Sequence, residues 1–342
     1  MLSTKLNEDG TLARKRFQLI LFVVLLIGFT LGFLMNQMLV QKNYTVIFPA
    51  TVTPKSNSAN LFGHLGESQI ADALAKKIRV VCMVLTMPSN HETKAQAVRD
   101  TWASRCNAHF FISSVEDSSL PSLAGVEQES REALWDKTKF AINHAYKNYL
   151  ENFDYFIKAD DDTFIIVENL RKLLSEHTPD ELFIMGRRFR PHVSQGYLSG
   201  GGGYVLSRAA LIRIHDGLLN DTNCAGDKHG GAEDVRLGTC AAAVGVPVLD
   251  SLDASGLERF HPFTPAMMMD KKALDGTSWF ASYNYHKVIT GFECCSDYAV
   301  SFHYVSPSDM YVFHYFLYHL HPYGIHRDFM DVANLVCHTN ST

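Results

Sequence analysis

What the chain has little of narrows its class. Neither charge dominates: 31 Lys and Arg stand against 36 Asp and Glu, a net charge of −5. No basic field therefore speaks for a nucleic-acid partner. Seven cysteines in 342 residues are too few for a fold built on disulfides, yet enough for two or three bridges in an oxidising compartment. Eleven prolines and 22 glycines exclude a collagen-like or low-complexity chain. No internal repeat suggests a solenoid or propeller. Two nucleotide signatures are missing as well. There is no G-x-x-x-x-G-K-[ST], and the run Gly200 to Gly203 does not form G-x-G-x-x-G before a helix. What remains is 46% apolar and 20% charged, a composition that excludes a mostly disordered chain.

Long apolar runs are scarce too, with one exception. Phe17 to Met35 (FQLILFVVLLIGFTLGFLM) holds no charge over 19 positions, about 28 Å of helix and about one bilayer core. Arg14, Lys15 and Arg16 precede it, whereas Asn36 to Gln41 is uncharged. The positive-inside rule then places 1–16 in the cytosol and the rest on the far side. A cleaved signal peptide would have a shorter apolar core and a small-residue cleavage site, and neither fits. The orientation gives meaning to three sequons, at Asn43, Asn220 and Asn340. The modest apolar length suits a thin early secretory membrane. The expected organisation is a cytosolic tail (1–16), an anchor (17–35), a stem of low structural content (36–76), a globular body (77–335) and a C-terminal tail (336–342).

Within the body, IRVVCMVLTM from Ile78 reads as a buried strand. HETKAQAVRDTWASR looks helical, AHFFISS is a second strand, and ESREALWDKTKFAINHAYKNYLEN is a long amphipathic helix. FDYFIKA is a third strand, running straight into Asp160-Asp161-Asp162. Helices over 165–177, 207–216, 233–243 and 308–320 alternate with strands over 182–186, 203–206, 246–250 and 299–305. Such alternation predicts an α/β domain with a mostly parallel sheet, whose ligand crevice lies at the carboxyl ends of the strands. The acid triplet sits at that end.

Three consecutive acids need a compensating charge or a structural use. A role for Asp162 as a helix N-cap explains one acid and leaves two. A calcium loop fails, because Ile165 replaces the required Gly and Arg171 the required Glu. A divalent cation shared with a diphosphate fits best. Ser199-Gly200-Gly201-Gly202-Gly203-Tyr204 leaves room for close backbone approach to a bound sugar. Glu233-Asp234 opens a helix, where acids complement the dipole or take a proton from a hydroxyl. His303, at the end of a late strand, suits the further ligand such a cation wants, since imidazole with carboxylates fits Mn²⁺.

Together HETKAQAVRDTWASRCN, FDYFIKADDDTFIIVENLRKLL, GYLSGGGGYVLS, GFECCSDYAVSFHYVSP and YHLHPYG closely resemble animal core 1 β1,3-galactosyltransferases, over about residues 78–325. The resemblance implies a GT-A glycosyltransferase fold behind a single transmembrane helix, in a type II Golgi membrane protein that forms a homodimer. It implies inverting transfer of galactose from UDP-galactose to O3 of N-acetylgalactosamine on Ser/Thr of glycoproteins, with Mn²⁺. By position, Asp160 and Asp162 are the D-x-D carboxylates and His303 the remaining metal ligand. Asp160, Asp161, Gly201, Gly202 and Tyr304 fall on the donor side. Asp234 matches the catalytic base, with Glu233 beside it as the fallback, and Trp279 an acceptor contact. The family pattern also pairs Cys82 with Cys106, Cys224 with Cys240 and Cys294 with Cys295, leaving Cys337 over.

The chain departs from the family where the acceptor is expected. A Trp-aromatic-Trp run is replaced by Trp279-Phe280-Ala281, the Tyr-Tyr-Pro that often follows is absent, and His286-Lys287 stands nearby. His321 occupies a position where Arg is common. Two competing expectations follow: a β1,3-transferase of other donor or acceptor, and a chaperone-like relative. The family's chaperone lacks the D-x-D acids that are present here.

Overall fold

The computed structural model describes residues 61–272, 274 and 279–323. The expected anchor, the sequons at Asn43 and Asn340, and Cys337 lie outside them. Among the described residues no helix is long and apolar enough to cross a membrane.

Among the described residues twelve strands form: β1 (Val80–Leu85), β2 (Ala108–Ser113), β3 (Ser122–Ala124), β4 (Tyr155–Asp160), β5 (Phe164–Ile165), β6 (Ile184–Gly186), β7 (Arg188–Phe189), β8 (Tyr197–Leu198), β9 (Tyr204–Ser207), β10 (Val248–Leu249), β11 (Phe260–His261) and β12 (Ser301–Phe302). The main sheet runs β10-β6-β9-β4-β1-β2-β3. It is mixed: β9 lies antiparallel to β4 and β6, and every other pairing in it is parallel. A second sheet, β11-β12-β5, and the β7–β8 hairpin complete the set.

The apolar run of β1 is continuous because both faces of the sheet are covered. Successive side chains alternate, so Val80, Cys82 and Val84 enter one core and Val81, Met83 and Leu85 the other. The first core is closed by Leu170, Leu173 and Leu174 of helix Val167–Leu174, with Trp102 and Phe260. The second is closed by Trp135, Ala141 and Ile142 of helix Leu134–Tyr149, and by Leu211 and Ile214 of helix Arg208–Asn220. Each such apolar side chain contributes on the order of 1.5–3 kcal/mol when fully buried.

Three expectations change. Leu61–Lys77 is a helix, although the sequence analysis assigns little structure to 36–76. Its residues form no clear apolar stripe, but its last turn carries Lys76 and Lys77, which complement the dipole, and Ala75 O accepts from Asn107 Nδ2. The helix expected over 165–177 starts at Val167, because Phe164–Ile165 pairs with β12 instead. Its N-cap is Ile166, without a side-chain cap, so Asp162 caps nothing. The strand expected over 299–305 shortens to Ser301–Phe302, since Tyr304 adopts φ +58°. By contrast, Glu233–Ala243 is helical over the expected range.

Cys82–Cys106, Cys224–Cys240 and Cys294–Cys295 are disulfides. The first ties β1 to the approach of β2, closing a separation of 24 residues, worth on the order of 3 kcal/mol in the chain-entropy description.

Candidate active site

The site begins where β1 and β4 end side by side, Leu85 opposite Asp160. At this carboxyl edge the three acids part company. Asp161 turns inward, and its Oδ2 accepts from Thr86 Oγ1 at 2.7 Å and Asn90 Nδ2 at 2.8 Å. Burial pushes its carboxyl up to about 6, against the pull of those donors and of Lys94. Asp161 therefore braces the loop.

Asp160 and Asp162 converge with His303. Antiparallel pairing of β12 with β5 carries His303 over the acids, and Val305 N donates to Asp162 O at 2.9 Å. His303 Nε2 stands 3.1 Å from Asp162 Oδ1 and 4.0 Å from Asp160 Oδ2. One ligand atom from each residue lies within 4.8 Å of the others.

The outward atoms of all three are engaged. Asp160 Oδ1 accepts from Lys158 Nζ at 2.7 Å, and Asp162 Oδ2 from Lys94 Nζ at 3.0 Å. His303 Nδ1 lies 3.3 Å from Pro262 O. That carbonyl only accepts, so Nδ1 carries a proton and Nε2 is the atom turned on the carboxylates. Two carboxylates turned on one point repel unless positive charge lies among them, from the imidazole in its protonated form or from a metal ion that takes the Nε2 lone pair. This donor set fits Mn²⁺ or a similar divalent ion, and the outer partners orient it as metal sites require. Burial alone would raise Asp162, but His303 and Lys94 outweigh it and hold the carboxyl down at about 2.

A second set of acids opens helix Glu233–Ala243. Glu233 is buried and engaged on both oxygens: Oε1 accepts from Tyr204 OH and from Thr138 Oγ1 at 3.0 Å, and Oε2 stands 3.5 Å from Lys158 Nζ. Burial raises its carboxyl while Lys158 opposes that rise. Burial likewise acts against the Lys158 ammonium, but Asp160 and Glu233 raise it above its ordinary value. Lys158 thus stays charged as the bridge between the two acid sets. Asp234 is half-buried and weakly held, by Gly200 N at 3.4 Å and Val235 N at 2.9 Å. Of the pair, Asp234 is the carboxylate open to an incoming hydroxyl.

The glycine run is the turn that joins these halves, with Gly203 N donating to Gly200 O. A Cβ on Gly200 would lie 2.9 Å from Glu233 Oε2, and one on Gly201 would lie 2.2 Å from His303 Cε1. Adjacent glycines therefore touch Glu233 and His303 in turn, about one 3.8 Å Cα step apart. A Cβ on Gly202 would meet Ser199 at an ordinary 3.5 Å. The absent side chain at 201 is explained by the imidazole above it.

Aromatic rings extend from this point. Tyr304 lies 3.9 Å from the His303 ring by centroid and is 58% exposed. Phe263 then links it to Trp279, at 6.2 and 6.1 Å. Trp279 starts the short helix Trp279–Tyr283 and is 53% exposed. Asn220, the described sequon, is exposed at the end of its helix.

The sequence analysis missed Lys158, Lys94, Thr86 and Asn90. For Lys158 a signal existed: it is the one cation in the run FDYFIKA, two residues before Asp160 and so on the same strand face. Nothing local marks Lys94.

Comparison with known proteins follows the same stretch of chain. The Fringe-like family matches residues 76–319. Glycoprotein-N-acetylgalactosamine 3-beta-galactosyltransferase 1 of Xenopus laevis is 39% identical over 307 residues, covering 87% of this chain and 83% of that protein. Beta-1,3-glucosyltransferase of Mus musculus is 30% identical over 181 residues, covering 52% of this chain and 36% of that protein. Among solved structures, a glycosyltransferase involved in the glycosylation of the major capsid of PBCV-1 superposes with a TM-score of 0.33 at 12% identity, over 50% of this chain and 80% of that one. That superposition is too partial to bear on chemistry.

Proposed function

Because the chain belongs to the Fringe-like family, and within it to the core 1 β1,3-galactosyltransferases, we propose that it moves galactose from UDP-galactose to O3 of N-acetylgalactosamine on Ser/Thr of glycoproteins, with inversion. The observation that carries this reading is the convergence of Asp160, Asp162 and His303 beside a separate, accessible carboxylate, Asp234. Asp160, Asp162 and His303 would hold Mn²⁺. When bound, such an ion acts as a Lewis acid that offsets charge growing on a departing diphosphate.

The chain's own residues do the remaining work. Asp160, Asp161, the Gly201–Gly202 backbone and Tyr304 form the donor side, with Tyr304 beside the diphosphate. Asp234 takes the proton of the acceptor 3-hydroxyl as that oxygen attacks the anomeric carbon from the face opposite UDP. One displacement inverts the centre and needs no covalent nucleophile. Glu233 is already occupied by Tyr204, Thr138 and Lys158, which supports Asp234 as the base. Trp279 offers an exposed ring to the acceptor, where aromatic faces stack on sugar or peptide. In this reading the protein is a type II Golgi membrane homodimer with its catalytic domain, in a GT-A fold, on the lumenal side.

The test is UDP release on GalNAc-Ser/Thr peptides with Mn²⁺, comparing UDP-galactose, UDP-GlcNAc and UDP-glucose. UDP-galactose is expected to turn over fastest, and Asp162→Asn to abolish metal-dependent turnover while the protein stays folded. Preference for another donor supports a different β1,3-transferase, and no turnover of any donor supports a chaperone-like role. A fully active Asp162→Asn ends the metal assignment.

A further inference from the structure

Behind the helix Trp279–Tyr283 lies a cavity of about 670 Å³, lined among others by Arg190, Lys271, Ala281, Asn284, His286 and Lys287. Trp279 and Ala281 are two residues apart, so they point to nearly opposite sides of their helical turn. The cavity is therefore distinct from the exposed Trp279 face, about one helix width away. It contains the positions at which this chain departs from its family, Ala281 and the His286-Lys287 pair.

The floor of this cavity is built. Asn284 is 2% exposed. Its side chain accepts from the buried Arg187 Nε at 2.6 Å and donates to Phe280 O. Arg187 also faces Glu258 at 3.7 Å and lies over the Phe280 ring. The rim is cationic. His286 is paired with Asp250 at 2.8 Å, an acid it shares with Arg188. Arg190 spends Nε and Nη2 on the Tyr285 carbonyl, which fixes the guanidinium without neutralising it. Among the described residues, no carboxylate pairs with Arg190, Lys271 or Lys287.

We propose that this cavity binds acidic side chains of the acceptor polypeptide, outside the reacting sugar, and so selects glycoproteins whose glycosylated Ser or Thr lies near Asp or Glu. The inference rests on the transferase reading above and adds a specificity-determining subsite to it. Three separated cations on long stems suit carboxylates spread along a peptide better than one fixed anion. Ala281 leaves open the space that a larger ring would fill.

The test compares GalNAc-bearing peptides that differ only in flanking Asp/Glu or Asn/Gln, with a sialylated GalNAc peptide as a third arm. The acidic peptide is expected to show a KM about 3–10-fold lower at low salt, with kcat unchanged, as three exposed ion pairs allow. The advantage disappears at high ionic strength and in the Arg190→Gln/Lys271→Gln/Lys287→Gln variant, which keeps the wild-type rate on the neutral peptide. Equal KM values, or an advantage that survives the triple variant, overturn the proposal. An advantage only for the sialylated arm overturns its peptide source. Fluorescence anisotropy with an unglycosylated Asp/Glu peptide separates the two readings. Binding lost in the variant, without turnover of any donor, refutes the transferase and keeps the subsite. Turnover without charge preference does the reverse.

Discussion

Replacing Gly201 by alanine is the sharpest perturbation of this site. The new Cβ would lie 2.2 Å from His303 Cε1, 2.4 Å from Nδ1 and 2.7 Å from Nε2. Carbon atoms in contact settle about 3.5–4.0 Å apart, so something must retreat by about 1.3–1.8 Å. The turn is held in place, since Gly201 O accepts from Thr163 Oγ1 at 2.8 Å. The imidazole is the part that moves. Its departure breaks the Nδ1 contact with Pro262 O or swings Nε2 away from Asp162. Disturbing the support of a ligand typically lowers metal affinity about 10–100-fold, and overpacking costs about 1–3 kcal/mol of stability. At subsaturating Mn²⁺, kcat/KM is expected to fall about 100-fold, as displacements of about 1 Å produce.

The assay is a Mn²⁺ titration of UDP release, paired with thermal melts. Gly202→Ala is the matched control for the cation, because its Cβ meets Ser199 at 3.5 Å and not His303, and its Mn²⁺ dependence and melting temperature are expected to match wild type. Gly201 must also act through the ring: once His303→Ala is present, adding Gly201→Ala is expected to cost little more. Identical Mn²⁺ curves for the two alanine variants, or full additivity with His303→Ala, refute the reasoning.

The remaining predictions concern the acids. Asp234→Asn is expected to lower kcat about 10²–10⁴-fold with UDP binding and melting temperature retained; a near-normal rate assigns the base elsewhere. Glu233→Gln is expected instead to destabilise the fold by about 3–5 kcal/mol, since it leaves Lys158 buried with less compensation; an unchanged melting curve refutes that structural role. Asp154 predicts a pH effect. Burial raises its carboxyl, but hydrogen bonds from Arg79 and the charges of Arg79 and Arg208 hold it below the ordinary range. A depressed carboxyl contributes stability above its unfolded value that is lost as pH falls through the folded one. Wild type should therefore lose melting temperature more steeply than Asp154→Asn on acidification below about pH 4; parallel curves refute the linkage.

Much of the architecture was legible because burial left its mark on local composition. The β1 run is apolar throughout, and β4 is apolar up to Lys158, as both faces are covered, and helix Glu233–Ala243 announces itself with acids in its first turn. The errors fall where partners distant in sequence decide. Phe164–Ile165 carries no local reason to leave the following helix, and only β12, over 130 residues later, makes it a strand. The antiparallel insertion of β9 is equally invisible in a β-α alternation. The helix Leu61–Lys77 rests on propensity without a clear apolar stripe, so a search for periodicity passes over it.

The site follows the same rule, one level up. Residues that would touch substrate or metal are conspicuous because they are locally odd: three acids in a row, four glycines in a row, acids opening a helix. Residues that make the oddities affordable are ordinary. Lys158 stands between Asp160 and Glu233, and without its charge two acid sets would share one buried edge of the sheet. Lys94 does the same for Asp162 from a segment 68 residues away. Such counter-charges are chosen by the fold, and a linear reading meets them only as lysines. An Asp162 carboxyl held near 2 is thus a property of three chain segments at once. Asp160 and Asp162 are aimed at one point because the protein supplies a cation on the outer side of each, Lys158 and Lys94, and their inner oxygens face the place where the proposed divalent ion would sit.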